Sequence, residues 1–175
     1  MSTHAESMLL MSNTLCERLL DEETMLDAER ELLAAGAAAL PVLVSILDGT
    51  ARNGFGVAYR DLGLPLRCAI EVASRLGPQA KPLEELLVAE LASGSRPAAS
   101  ALGYLGSLKA SSVVALAACL DSHDEELAAE AAAALIRCDE TDHAAVVRAT
   151  GQSAQAAKHI ALVQQHLHRK PLSHS

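Results

Sequence analysis

The chain is poor in aromatic residues: its 175 positions hold no Trp, one Phe and two Tyr. A core without large rings has to be built from Ala, Leu, Val and Ile, and small side chains let helices approach one another closely. Alternating Val and Ile runs are also lacking, as is an Asn-Gly turn set between two strand-like segments. Asn53-Gly54 comes nearest, but Leu43 to Leu47 before it has helical spacing. These absences exclude a sheet and predict an all-α chain. No Cys-x-x-Cys pair occurs. Cys16, Cys68, Cys119 and Cys138 fall far apart, next to Leu or Ala in helical patterns, and read as small core residues of a reducing compartment. The N-terminus lacks the basic start and apolar run of a signal peptide, and no segment approaches the roughly 20 apolar residues of a membrane span. The expected location is the cytoplasm, with no membrane partner.

Positive charge is scarce too. The formal net charge is −8, unevenly spread. Residues 1–35 carry eight acidic groups against two basic, and residues 121–142 carry eight against one. From His143 onward there are four basic groups and no acidic one. Arg52, Arg60, Arg67 and Arg75 are interleaved with Asp48, Asp61 and Glu71, so no basic stripe forms. Such a chain is a poor phosphate binder, which excludes nucleic acid from the expected partners. It suits a basic protein partner, mainly through encounter rate and specificity.

What the sequence does have is helical periodicity. Stripes at three- and four-residue spacing recur from Met8, Met11, Leu15 and Leu19 through Ala156, Ile160, Val163 and Leu167. Gly49, Gly77, Gly94, Gly106 and Gly151 punctuate them, giving about ten short helices with brief connections. Similar segments repeat. Gly36-Ala-Ala-Ala39-Leu-Pro41-Val-Leu43 matches Gly77-Pro-Gln-Ala80-Lys-Pro82-Leu83 at a shift of 41. Lys109-Ala-Ser-Ser-Val113-Val114 matches Asp142-His-Ala-Ala-Val146-Val147 at a shift of 33, and Leu102 falls on Leu135 by the same shift. Repeats of this length indicate a solenoid. Pro41 and Pro82 suit a helix's first turn, where a missing N–H costs nothing.

These motifs resemble the HEAT-like repeat in its short bacterial form. Gly36 to Leu43 reproduces that family's Gly-x-x-Ala-x-Pro-x-Leu opening of the second helix, and Gly77 to Pro82 carries its first half, with Leu83 one place early. The first-helix stripe ending Leu-Gly is seen as Ala73-Ser-Arg-Leu76-Gly77 and as Leu102-Gly-Tyr-Leu105-Gly106. Later units keep the apolar positions but lose the Pro. The resemblance implies one domain over residues 1–175: a capping helix in 1–23, about four helix pairs in 24–150, a second cap in 152–168 and a flexible tail in 169–175. Family members mostly serve as binding scaffolds. Some act on bilin chromophores, some resemble alkyl-purine DNA glycosylases, and some small ones look like antitoxin-type immunity proteins.

One stretch departs from the pattern. "GTARNGFGVAYRD", Gly49 to Asp61, gathers three glycines, two arginines, the only Phe and one of the two Tyr. It accounts for the excess of the first shift over the second. Arg52, Phe55, Tyr59 and Arg60 are the candidate partner-binding residues, since Tyr and Arg are enriched at interface hot spots and loops on rigid scaffolds carry binding groups. Alternatively Phe55 and Tyr59 fold inward and plug the gap between units. Both hold if Phe55 anchors the loop while Tyr59 and Arg60 face out. Glu84 and Glu85, with Glu90, read as a solvated acidic face that would contact a basic partner.

Other candidates are thinner. His159, His166 and His168 do not converge as the three or four ligands of a metal site must, and read as polar surface. Cys138-Asp139 and Asp142-His143 have the residue types of a nucleophile–base pair but sit at a turn between helices. The expected function is a non-enzymatic protein-binding scaffold without metal or cofactor. A specific form is an inhibitor or immunity protein that sequesters a basic partner such as a cognate toxin; the oligomeric state is left open. The alternative is a bilin-lyase-like or other small-molecule-handling module using Cys68, Asp61 and Tyr59, against which the shortage of aromatics argues.

Overall fold

A computed structural model describes residues 12–169. The described residues are all-helical, with no strand and a single isolated antiparallel bridge between Arg52 and Ala58. Met8, Met11 and the tail beyond Arg169 lie outside them. The chain divides into two units, residues 1–86 and 87–175.

In the first unit the helices are α1 (residues 12–18), α2 (Glu22–Ala35), α3 (Leu40–Leu47) and α4 (Leu64–Leu76), with α5 (Glu84–Ala92) beginning at its end. Asp21 caps α2 by accepting from the Glu23 N–H, and Glu22 and Glu23 complement the positive end of the helix. α2 and α4 end alike. Gly36 takes φ 58° and ψ −128°, and Gly77 takes φ 58° and ψ −129°. Each opens a 3-10 turn, Gly36–Ala39 or Gly77–Leu83, that leads into the next helix. Ala39 is buried in the first turn and Leu43 in the helix after it, and Ala80 and Leu83 are buried in the second turn. The turns lie against one another and α2 packs on α4.

The structure corrects one expectation here. Residues Glu22–Leu47 form a continuous helical run of 26 residues whose most apolar stretch has a mean hydropathy of 1.7, long and apolar enough to cross a membrane by length and composition. Charge spacing at the start of α2 hides this in the sequence. The run is not one straight rod, because the ψ of Gly36 is far from the helical value of about −42°. It separates segments of 14 and 8 residues, and Leu32, Leu43, Ile46 and Leu47 are buried within the unit.

The second unit holds the rest of α5, then α6 (Arg96–Leu102), α7 (Ala110–Cys119), α8 (Glu125–Arg137), α9 (Ala144–Gln152) and α10 (Ala154–His168). Ser95, Asp124, His143 and Ser153 supply side-chain acceptors that start α6, α8, α9 and α10. Packing is like on like: α6 on α8 and α8 on α10, α7 on α9, with α7 also against α8. The shift of 33 marks equivalent environments. Leu102 and Leu135 are both fully buried, Val113 and Val146 both buried, and Val114 and Val147 both about half exposed. The match is imperfect at one point: the cap of α9 is His143, one residue later than Lys109 before α7 predicts.

Alanine makes the tight packing of the second unit possible. Ala128 and Ala131 to Ala134 of α8 are buried together, and a Cβ added to Gly103 would stand 2.8 Å from the Cα of Ala134. His159 is buried rather than part of a polar surface, because α10 packs on both α8 and α9 and turns Ala156 and His159 inward.

Candidate functional site: a hairpin that presents Phe55

The Gly-rich insertion follows α3 directly. Thr50 closes the end of that helix, its N–H and hydroxyl both donating to Asp48 Oδ1 at 2.8 and 2.6 Å. The Ala51 N–H then returns to the Ser45 carbonyl at 2.8 Å. From there the chain makes a miniature hairpin. The Asn53 N–H donates to the Val57 carbonyl at 2.9 Å, and the Tyr59 N–H to that of Ala51 at 3.0 Å. The Asn53 side chain organises the tip, its Oδ1 accepting from the N–H groups of both Phe55 and Val57 at 3.0 Å. Such a side-chain-to-backbone bridge is the reason Asn favours turns. Arg52 reaches across to donate to the Gly56 carbonyl at 2.8 Å. Ala51 and Ala58, at the base, are buried.

The hairpin is fixed from below by the residues after it. Tyr59 is 1% exposed, and its hydroxyl donates to Glu17 Oε1 at 2.6 Å. Burial, and then the Glu17 carboxylate, push the phenol well above its ordinary value, so it stays a donor. Arg60 folds back so that its guanidinium donates to the Leu47 carbonyl. Its stem covers Gly49, where a Cβ would come within 3.0 Å of the Arg60 Cδ.

What remains on the outside is Phe55, 94% exposed at the tip, with Val57 and Leu62 partly exposed. This reverses the arrangement in which Phe55 anchors and Tyr59 with Arg60 faces out. The physical reason is the hydroxyl. Tyr59 has a carboxylate to bond in its buried position, whereas the Asn53 bridge holds Phe55 at the exposed apex. Arg52 is exposed beside it, while Arg60 is half-buried.

The acidic pair on α5 is also redistributed. Glu85 is exposed, but Glu84 is buried and paired with Lys81 at 2.7 Å, and Glu90 is buried as well. The solvated face expected at 84, 85 and 90 is therefore reduced to Glu85. Glu84 falls three and seven residues before Leu87 and Leu91 and shares their buried face.

Two buried thiols are held in the protonated form. Burial first, then Glu17, push the Cys16 thiol up to about 11; burial and then a hydrogen bond to Glu29 push Cys68 up to about 12. A thiol held protonated is a poor nucleophile. The buried Cys138 Sγ lies 3.7 Å from the carbonyl oxygens of Leu102 and Gly103, and His143 Nδ1 accepts from the Ala145 N–H at 3.2 Å as a helix cap. In the second unit Tyr104 is 44% exposed and stacks beneath Arg137, whose guanidinium carbon stands 4.6 Å from the ring centre.

The structure gathers the candidates Arg52, Phe55, Tyr59 and Arg60 in the hairpin and its base, and adds three residues that the sequence did not single out. Asn53 was legible as turn chemistry before Gly54, and Val57 as an apolar residue in a polar loop. Glu17 carried no signal, since it lies 42 positions before the tyrosine it anchors. No family model, curated protein or solved structure matches the chain.

Proposed function

We propose that this chain is a non-enzymatic protein-binding scaffold, an α-solenoid of HEAT-like helix pairs that offers a preformed hairpin to a basic protein partner. The observation that carries the reading is Phe55, almost wholly exposed on a tip whose backbone is already held by hydrogen bonds. An aromatic ring presented on rigid backbone loses little conformational freedom on binding, which is what makes a hot spot. Arg52 beside it adds a group suited to carboxylates and backbone carbonyls. The solenoid part of the reading is supported by the identical glycine geometry at 36 and 77 and by the like-on-like packing of α6, α8 and α10.

The net charge of −8 favours a basic partner, and a small acidic scaffold suits an inhibitor that sequesters a cognate toxin. This reading places the protein in the cytoplasm, with no membrane, nucleic acid, metal or cofactor involved. Buried, protonated Cys68 and buried Tyr59 weigh against a bilin-handling site. Affinity capture from the native host, comparing the wild-type chain with Phe55→Ala, tests the proposal. One protein partner should be held by the wild type and lost by at least tenfold with the variant; equal capture by both sinks the assignment of Phe55.

A further inference from the structure

The second unit carries an open, mainly apolar groove. Leu91 and Ala92 at the end of α5, Ala115, Ala118 and Cys119 of α7, and Leu127 of α8 line an apolar groove of about 440 Å³. Leu91 and Leu127 form its buried floor, while Ala92 and Ala118 are exposed at its mouth. Three alanines, Ala92 of α5 and Ala115 and Ala118 of α7, leave the room that larger side chains would fill. An aromatic ring needs such a groove to bury its roughly 150–250 Å².

The charges match as well. The loop from α7 to α8 borders the groove through Ser122 and carries Asp121, and α8 begins with Glu125, both carboxylates exposed. Asp121 accepts from the Ser153 hydroxyl at 2.6 Å, and the neighbouring carboxylates Asp124 and Glu126 are engaged by Arg96. Two exposed carboxylates therefore stand close in sequence to the lining residues Ser122 and Leu127, and the knob has the exposed Arg52 at its side.

We propose that Phe55 of one copy docks in the α5–α7–α8 groove of a second copy of this chain, with Arg52 facing Asp121 and Glu125. The inference rests on the reading of the hairpin as a docking element and names a second copy as one of its partners. Each copy carries both the knob and the groove. A contact built on one side chain per copy is small, and the pair is accordingly weak and concentration-dependent. Both copies carry net negative charge, which physiological salt screens beyond about 8 Å.

Sedimentation velocity of the purified full chain, over a concentration series reaching about 1 mM, the range of a −4 kcal/mol contact, tests this. The wild type should self-associate. Phe55→Ala and Ala92→Arg, which puts a long charged side chain into the groove, should each weaken association at least tenfold with unchanged circular dichroism. Mixing the two variants should restore a complex, because one supplies an intact groove and the other an intact knob. If Ala92→Arg does not fold, Ala118→Arg takes its place. A wild type that stays monomeric throughout overturns the inference and leaves the hairpin reading to its own capture test. Association that survives Ala92→Arg, or a mixture no more associated than its components, overturns the groove as the receptor. Association unaffected by Phe55→Ala overturns the knob.

Discussion

Gly103 and Ala134 touch backbone to backbone: a Cβ built on Gly103 would stand 2.8 Å from the Ala134 Cα and 3.1 Å from its Cβ. The contact joins the end of α6 to α8 and depends on a hydrogen in place of a methyl group. Gly103 has φ −66° and ψ −17°, so alanine is conformationally acceptable there and the whole penalty is steric. Gly103→Ala should lower stability by about 1–3 kcal/mol, the range for overpacking against atoms that cannot move aside. Urea denaturation checks it. An unchanged midpoint would mean that α6 and α8 sit farther apart.

Gly36 and Gly77 make a paired prediction. Their dihedrals agree to within a degree, and the conformation is one that side chains rarely adopt. Alanine at either position should cost about 1–3 kcal/mol of backbone strain. A Cβ at Gly36 also meets Gln79 Oε1 at 2.9 Å, but that is the far end of a flexible side chain and can move. The two losses should therefore be similar. A large cost at one position and none at the other would break the equivalence of the two repeats.

The first unit should be labile to alkali. Cys16 and Cys68 are pushed from 9.0 to about 11 and about 12, and Tyr59 is pushed up in the same direction. The folded chain therefore holds protons that the unfolded chain releases at ordinary values. Stability falls with pH wherever the folded state binds more protons. It should be fully present below about pH 8.5 and decline progressively through pH 9–12. Denaturant midpoints measured across that range check the sign. Cys16→Ala, Cys68→Ala and Tyr59→Phe should each flatten the decline, and a wild-type midpoint constant to pH 11 would contradict the burial of these groups.

The sequence made helices, caps and repeats legible because those signals are local. The apolar period placed Leu102, Leu135, Val113 and Val146 in the core, and Gly-x-x-Ala-x-Pro marked both turns of the first unit. What stayed illegible depends on partners remote in sequence. Hydropathy alone makes Phe55 a better plug than Tyr59, and only the position of Glu17 inverts that choice. Glu29, Glu84 and Glu90 look solvated in a charge count, yet the structure buries all three. The groove of the second unit had no signature, since alanines that line a hole read like alanines that fill a core.

Equilibrium unfolding of Phe55→Ala tests the central claim most directly. If the ring stands outside the packed structure, the variant should match the wild type within about 0.5 kcal/mol, as surface substitutions do. A loss of about 3–5 kcal/mol, the cost of removing a core phenylalanine, would place Phe55 inside the fold and end its role as the element offered to a partner.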